Sequence, residues 1–203
     1  MLLKIHPDNP SSRKIEQVTK TLEKGGVIIY PTDSVYGLGC DIFNHKAVDK
    51  ICRLRKLNPA KANLTFICID IAQLSEYTVQ LNNTLFKLLR RNTPGPFTFI
   101  FSANNKVPKL FKNRKKTVGI RIPENNIARD IVENLGRPIL SLSLKSEDEI
   151  VEYYTDPFDI NEDFQNQVDI VIDGGMGNHE PSTVVDCTGD EPEVIRKGAK
   201  ELV

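Results

Sequence analysis

The segment from Val27 to Asp41, Val-Ile-Ile-Tyr-Pro-Thr-Asp-Ser-Val-Tyr-Gly-Leu-Gly-Cys-Asp, constrains this chain more than any other. Val27 to Tyr30 form an unbroken apolar and aromatic run, the pattern of a buried strand. Pro31 then withdraws a backbone donor and stops the ladder. A burst of hydroxyls and one carboxylate follows on a glycine-punctuated turn: Thr32, Asp33, Ser34, Tyr36, Gly37 and Gly39. In open α/β sheets ligands sit at the carboxyl ends of strands, so polar groups there are well placed for a site. The other reading is an ordinary strand-ending turn, in which Thr and Asp bond neighbouring backbone.

The rest of the chain alternates helical and strand patterns around this segment. Ser11 or Ser12 caps a first helix with Ile15, Val18 and Leu22 on one face, ended by Gly25-Gly26. Asn44 caps a second helix, which runs into the basic segment Arg53 to Lys61. Leu64 to Ile69 read as a strand, and Asn82 or Asn83 opens a third helix with Leu85, Leu88 and Leu89 inward. The stiff turn Thr93-Pro-Gly-Pro96 leads into a strand from Phe97 to Phe101. Beyond a Lys-rich connector, Thr117 to Pro123 form a strand and Asn126 to Leu135 a helix ended by Gly136. Pro138 to Leu144 read as a strand, and the acidic stretch from Glu147 to Asp163 as a loop with a short helix. Val168–Ile172, Thr183–Asp186 and Val194–Arg196 complete the strands. The pattern predicts one α/β domain with mixed strand directions.

At 203 residues the chain is long enough for one domain with a substantial core, assigned here to 1–203 with its core at about 11–200. Lysine plus arginine and aspartate plus glutamate both number 27, which argues against a surface built throughout to coat nucleic acid. A local basic patch stays open. No apolar run approaches the roughly 20 residues of a membrane span, and the N-terminus lacks the apolar core of a signal peptide. Cys40, Cys52, Cys68 and Cys187 form no CxxC pair and lie among apolar neighbours, as buried thiols in a reducing compartment do. The expected location is the cytoplasm, without a membrane partner. His6, His45 and His179 are scattered without metal-ligand spacing, so no metal site is expected.

The run Tyr30-Pro-Thr-Asp-Ser-Val-Tyr-Gly-Leu-Gly-Cys-Asp41 resembles the opening motif of the YrdC-like family, the threonylcarbamoyl-AMP synthases. Further family-like blocks follow in order: Thr93 to Thr98, Gly119 to Pro123, Pro138 to Ser143, Asp173 to Gly175, Ser182 to Asp186 and Val194 to Gly198. Ile5 to Pro10, Ile51 to Arg55 and Asn92 to Gly95 are similar to the YciO-like branch. The resemblance spans essentially the whole chain. It implies a twisted, open, mixed sheet flanked by helices and bordering a large, positively lined cavity. The extra C-terminal domain of longer relatives is not expected.

The implied reaction joins L-threonine, bicarbonate and ATP into threonylcarbamoyl-AMP and pyrophosphate, feeding the t6A modification of tRNA. ATP enters as a substrate, with magnesium accompanying the nucleotide. Family members are described as binding double-stranded RNA, so double-stranded RNA or tRNA and t6A-pathway proteins are the implied partners. The resemblance assigns catalytic roles to Thr32 and Arg121. Thr32, Tyr36, Arg121 and Ser143 would contact the amino-acid substrate, and Arg55, Lys61, Ser141 and Arg196 the nucleotide. On its own chemistry, Arg121 in an apolar strand either holds a carboxylate or carbamate or forms a structural ion pair. The Arg53 to Lys61 cations equally suit a helix C-terminus. Ser141 and Ser143 share one strand face, and either line a cavity or satisfy backbone.

Two positions depart from the synthases. Their Lys-x-Arg pair corresponds here to Arg55-Lys56-Leu57, and their Ser-Thr-Ser-Ala-Asn element to Ser141-Leu-Ser143-Leu-Lys145. A charge is lost at Leu57, and an amide becomes a donor-only cation at Lys145. The length also differs by one residue near Asn58 to Asn63. Misplacing a nucleotide by about 1 Å costs on the order of 100-fold in rate. The expectation is a synthase-type enzyme with weakened activity. Its rival is an RNA- or nucleotide-binding paralogue without efficient catalysis.

Overall fold

The computed structural model describes residues 1–57, 64–109, 116–146 and 152–203. The described residues form ten strands and six helices. In chain order they are β1 (Leu2–Lys4), α1 (Ser12–Glu23), β2 (Ile28–Tyr30), β3 (Gly37–Asp41), α2 (His45–Leu54), β4 (Thr65–Ile67), α3 (Ile71–Ser75), α4 (Asn83–Asn92), β5 (Phe97–Ser102), β6 (Thr117–Arg121), α5 (Asn126–Leu135), β7 (Ile139–Ser143), α6 (Pro157–Phe164), β8 (Ile170–Asp173), β9 (Thr183–Asp186) and β10 (Glu193–Arg196).

All ten strands join one open sheet in the order β1-β8-β2-β3-β7-β4-β6-β5-β9-β10, mixing parallel and antiparallel neighbours. Strand periodicity sends alternate residues to opposite faces. On one face Phe66, Phe97, Phe99, Phe101, Ile120 and Val185 pack with buried residues of α2, α3, α4 and α6. On the other, Ile28, Tyr30, Ile139, Ile170 and Ile172 pack against α1 and α5. Each fully buried side chain of this size contributes about 1.5–3 kcal/mol relative to exposure.

Helix boundaries follow capping chemistry. Asn44, Asn82 and Asn125 each accept from a backbone N–H three residues on, satisfying donors that a helix start leaves free. Ser11 occupies the cap position of α1 with its hydroxyl unused, the role falling to its carbonyl. Gly136 ends α5 at φ 70°, a left-handed conformation that glycine adopts without strain.

The sequence pattern misses three elements. The stretch read as a glycine-punctuated turn contains β3, because Gly37 and Gly39 lie under the Tyr30 ring while Leu38 and Cys40 enter the core. Glycine lowers strand propensity, so only packing reveals this strand. The three-residue β1 and five-residue α3 are too short for a periodic signal. Lys61 and, in the Lys-rich connector, Lys112, Arg114 and Lys115 lie outside the described residues. Cys40, Cys52, Cys68 and Cys187 are buried and free. Among the described residues, no helix is long and apolar enough to cross a membrane.

Candidate active site

The helices α1 and α5 cover only part of their sheet face. Further along that face, strand alternation turns Thr65, Thr98, Gly119, Arg121, Ser141 and Ser143 toward a cavity of about 470 Å³. Their strand neighbours Phe66, Phe97, Phe99, Ile120 and Leu140 go to the opposite core. A polar floor thus rests on an apolar base. The end of α2 supplies Arg55 and Leu57 to the lining, the chain after β7 supplies Lys145, and β10 supplies Ile195 and Arg196. The described lining holds four cations and no carboxylate. Such a volume suits a drug-sized or nucleotide-sized ligand.

Arg121 sits deepest. Its Nη2 donates to Asp33 Oδ1 at 2.6 Å and to Ser34 Oγ at 2.9 Å. Asp33 in turn accepts from the Glu124 N–H at 2.9 Å through Oδ2. The ion-pair reading of Arg121 therefore holds, yet the residue also lines the cavity. Its Nε is buried with no partner among the described residues. Buried donors are rarely left unsatisfied, so an oxyanion is the natural complement to this N–H.

Ser141 Oγ accepts from the Tyr30 hydroxyl at 2.7 Å, which leaves its own hydrogen to donate. The Tyr30 ring reaches that point over Gly37 and Gly39, where an added Cβ would approach within 3.1 and 2.8 Å of it. At the other side, Arg196 Nη2 donates to the Ser182 carbonyl at 2.6 Å. Ser182 Oγ shares a hydrogen with Thr98 Oγ1 at 2.8 Å. Arg55 Nη1 donates to the Lys145 carbonyl at 3.0 Å, tying two parts of the lining together. Lys145 Nζ is paired with Glu152 at 2.6 Å and lies 5.4 Å from the Tyr153 ring centroid. The Glu152 carboxylate beside it keeps the Lys145 ammonium above its ordinary pKa.

Five of the eight predicted site residues, Arg55, Arg121, Ser141, Ser143 and Arg196, meet in this cavity. Thr32 and Tyr36 do not line it. The Thr32 hydroxyl donates to the Val35 carbonyl at 2.7 Å and contacts Ser34 Oγ at 3.2 Å, one step behind Arg121. Tyr36 packs in the core of the opposite face, its hydroxyl donating to the Gly175 carbonyl at 2.7 Å. Burial raises its pKa strongly, so it stays protonated. Lys61 lies outside the described residues. Sequence reasoning missed Thr98 and Ser182, although the polar Thr98 between Phe97 and Phe99 carries the alternation that would have found it.

Leu57 and Lys145, the two departures from the synthase pattern, both line the cavity. Among the described residues, no group of three His, Cys, Asp or Glu could hold a metal ion. The described lining also lacks a carboxylate, the side chain through which proteins most often hold magnesium.

The Sua5/YciO/YrdC family, described as "Telomere recombination", matches residues 20–198. The chain is 44% identical over 200 residues to the uncharacterized protein YciO of Escherichia coli K12, covering 98% of this chain and 95% of that protein. A crystal structure of E. coli YciO superposes with a TM-score of 0.92, at 42% identity, over 99% of this chain and 97% of that one. The threonylcarbamoyl-AMP synthase of Coxiella burnetii RSA 493 is 30% identical over 181 residues, 89% of this chain and 96% of the synthase. The P. abyssi Sua5 structure complexed with L-threonine gives a TM-score of 0.86 at 26% identity. The match covers 98% of this chain and 57% of that Sua5 chain. The chain belongs to the Sua5/YciO/YrdC family.

Proposed function

We propose that this protein is a nucleotidyltransferase of the threonylcarbamoyl-AMP synthase type, acting in the cytoplasm on L-threonine, bicarbonate and ATP. The observation that carries this reading is the grouping of Arg55, Arg121, Lys145 and Arg196 around one polar floor, with Arg121 and Lys145 matched by Asp33 and Glu152 from outside the described lining and Arg55 and Arg196 bonded to carbonyl oxygens. That charge pattern complements a triphosphate together with a carboxylate-bearing substrate. A family relative bound to L-threonine supports the choice of amino acid.

The threonine amine and bicarbonate combine to a carbamate with loss of water. A carbamate oxygen then attacks the α-phosphorus, forming the new P–O bond as the bond to the leaving pyrophosphate breaks. Such a transfer asks for alignment and charge stabilisation rather than covalent help from the protein. Arg121, anchored by Asp33 and Ser34, presents a fixed cation to the carboxylate or carbamate. Ser143 completes that end, and Thr32 supports Ser34 from behind. Arg55, Ser141 and Arg196 hold the nucleotide, with Lys61 assigned there by family resemblance. The product would feed t6A formation on tRNA through partner proteins of that pathway.

The test is mass spectrometry on protein incubated with ATP, bicarbonate and L-threonine. Threonylcarbamoyl-AMP is the expected product, and its absence under conditions where ATP is bound overturns the reading. A second reading, nucleotide or double-stranded RNA binding without efficient catalysis, is favoured by Leu57 and by the Lys145–Glu152 pair. Saturable binding without product formation selects it.

A further inference from the structure

Lys145 stands at a cavity position where the synthase pattern has a neutral amide, and its charge is already matched by Glu152 at 2.6 Å. The pair adds little to folding. The two side chains are 49% and 64% exposed, and an ion pair so open to water is worth about 0–1 kcal/mol. Its position tells more. Glu152 is held first by Lys145 and then by the Tyr153 hydroxyl, with the positive charge of Arg196 a weaker influence on the same carboxylate. An exposed carboxylate held by a cavity cation occupies the electrostatic place that an incoming phosphate would take.

Depth sets which phosphate that is. The Arg121 side chain is 6% exposed at the floor, whereas Lys145 is half exposed. A reaction at the α-phosphorus is carried out beside the buried arginine, leaving the outer phosphates for the outer cation. Arg55 sits beside Lys145 by bonding its backbone carbonyl, an arrangement that does not depend on the lysine side chain.

We infer that Lys145 is a ligand for the β- and γ-phosphates of the nucleotide, and that Glu152 is its exchangeable counter-ion, displaced when a triphosphate enters. This deepens the proposed function and rests on it. Nucleotide discrimination follows: ATP displaces Glu152, whereas AMP has no outer phosphate to do so. Lys145 thereby supplies, from another segment of the same lining, the charge that Leu57 lacks.

Calorimetric titration of ATP and AMP into the wild-type protein, Lys145→Ala and Glu152→Gln tests the exchange. Lys145→Ala is expected to weaken ATP binding by about five- to tenfold, the value of one charge-assisted contact near a surface. Glu152→Gln is expected to tighten it by about two- to threefold, since the competing anion is gone while its shape remains. AMP affinity should be the same in all three proteins. The opposite signs matter, because a merely structural pair would weaken binding in both variants. Equal ATP affinities, or weakening by Glu152→Gln, overturn the counter-ion assignment while leaving the proposed function standing. Failure of the wild-type protein to bind ATP at all overturns both.

Discussion

Asp33 holds Arg121 from behind the cavity, with 2.6 Å between Oδ1 and Nη2 and both side chains less than a tenth exposed. The carboxylate comes from the loop after β2 and the guanidinium from the end of β6, so one ion pair joins segments 88 residues apart in the sequence. Removing one member of a buried pair leaves an uncompensated charge, at about 3–5 kcal/mol. Asp33→Ala and Arg121→Ala are each expected to lower the unfolding free energy by roughly 3 kcal/mol. The double variant should lose clearly less than the sum, because it strands neither charge. Urea unfolding of the three variants checks this; additive losses would show that the pair is not coupled.

The Tyr30 ring gives a steric prediction. A Cβ at Gly39 would sit 2.8 Å from Tyr30 Cε1 and 2.9 Å from the Leu140 carbonyl oxygen. Neither the buried ring nor the paired strand yields easily, so Gly39→Ala should destabilise by about 2 kcal/mol. At Gly119 the nearest atom is Thr65 Oγ1 at 3.1 Å, a hydroxyl on the cavity floor. Gly119→Ala should cost less than about 1 kcal/mol in stability and act mainly on ligand affinity. Thermal unfolding paired with ATP titration separates the two effects.

Much of this architecture is legible in the sequence, and the exceptions have physical causes. The caps at Asn44, Asn82 and Asn125 are local, as are the alternations Phe97-Thr98-Phe99 and Ile120-Arg121, so those elements can be read directly. The strand β3 cannot, because its glycines are selected by a ring that reaches them only after folding. The same limit applies at the site. Thr32 and Tyr36 stand in the most distinctive motif, yet their hydroxyls are directed to the Val35 and Gly175 carbonyls. Motif membership locates the site without showing which side chains line the cavity. Glu152 carries no motif at all and gains meaning only from its place beside Lys145.

Stability should depend on pH through Asp169. Burial alone would raise its pKa, but the Val27 N–H at 2.8 Å and Lys50 Nζ at 3.1 Å outweigh this and hold it below the ordinary value. A carboxylate depressed in this way adds stability above its unfolded pKa of about 3.9, and that stability is lost as pH falls through the folded value. With the side chain 43% exposed, screening limits the contribution to about 1 kcal/mol or less. Asp169→Asn should therefore be destabilised at pH 7 by at most that amount, the gap shrinking below about pH 3.9. Urea midpoints at pH 7 and pH 3 provide the comparison.

The cysteines should be silent in the folded protein. Burial pushes the Cys187 thiol up to about 12 and raises those of Cys40, Cys52 and Cys68 as well. Since the thiolate is the reactive form, a disulfide reagent at pH 8 should label none of the four within minutes. Unfolding in guanidinium should release all four at once. Rapid labelling of any one in the native state would contradict its burial.

Pyrophosphate release is the simplest reading of the chemistry proposed at Arg121. Pure protein would be given ATP and bicarbonate with and without L-threonine, beside an Arg121→Ala control whose folding is verified by circular dichroism. Threonine-dependent release is expected, reduced by at least about 100-fold in the control, as misalignment at a transferring centre does. Threonine-independent release, or equal release by the variant, would contradict it.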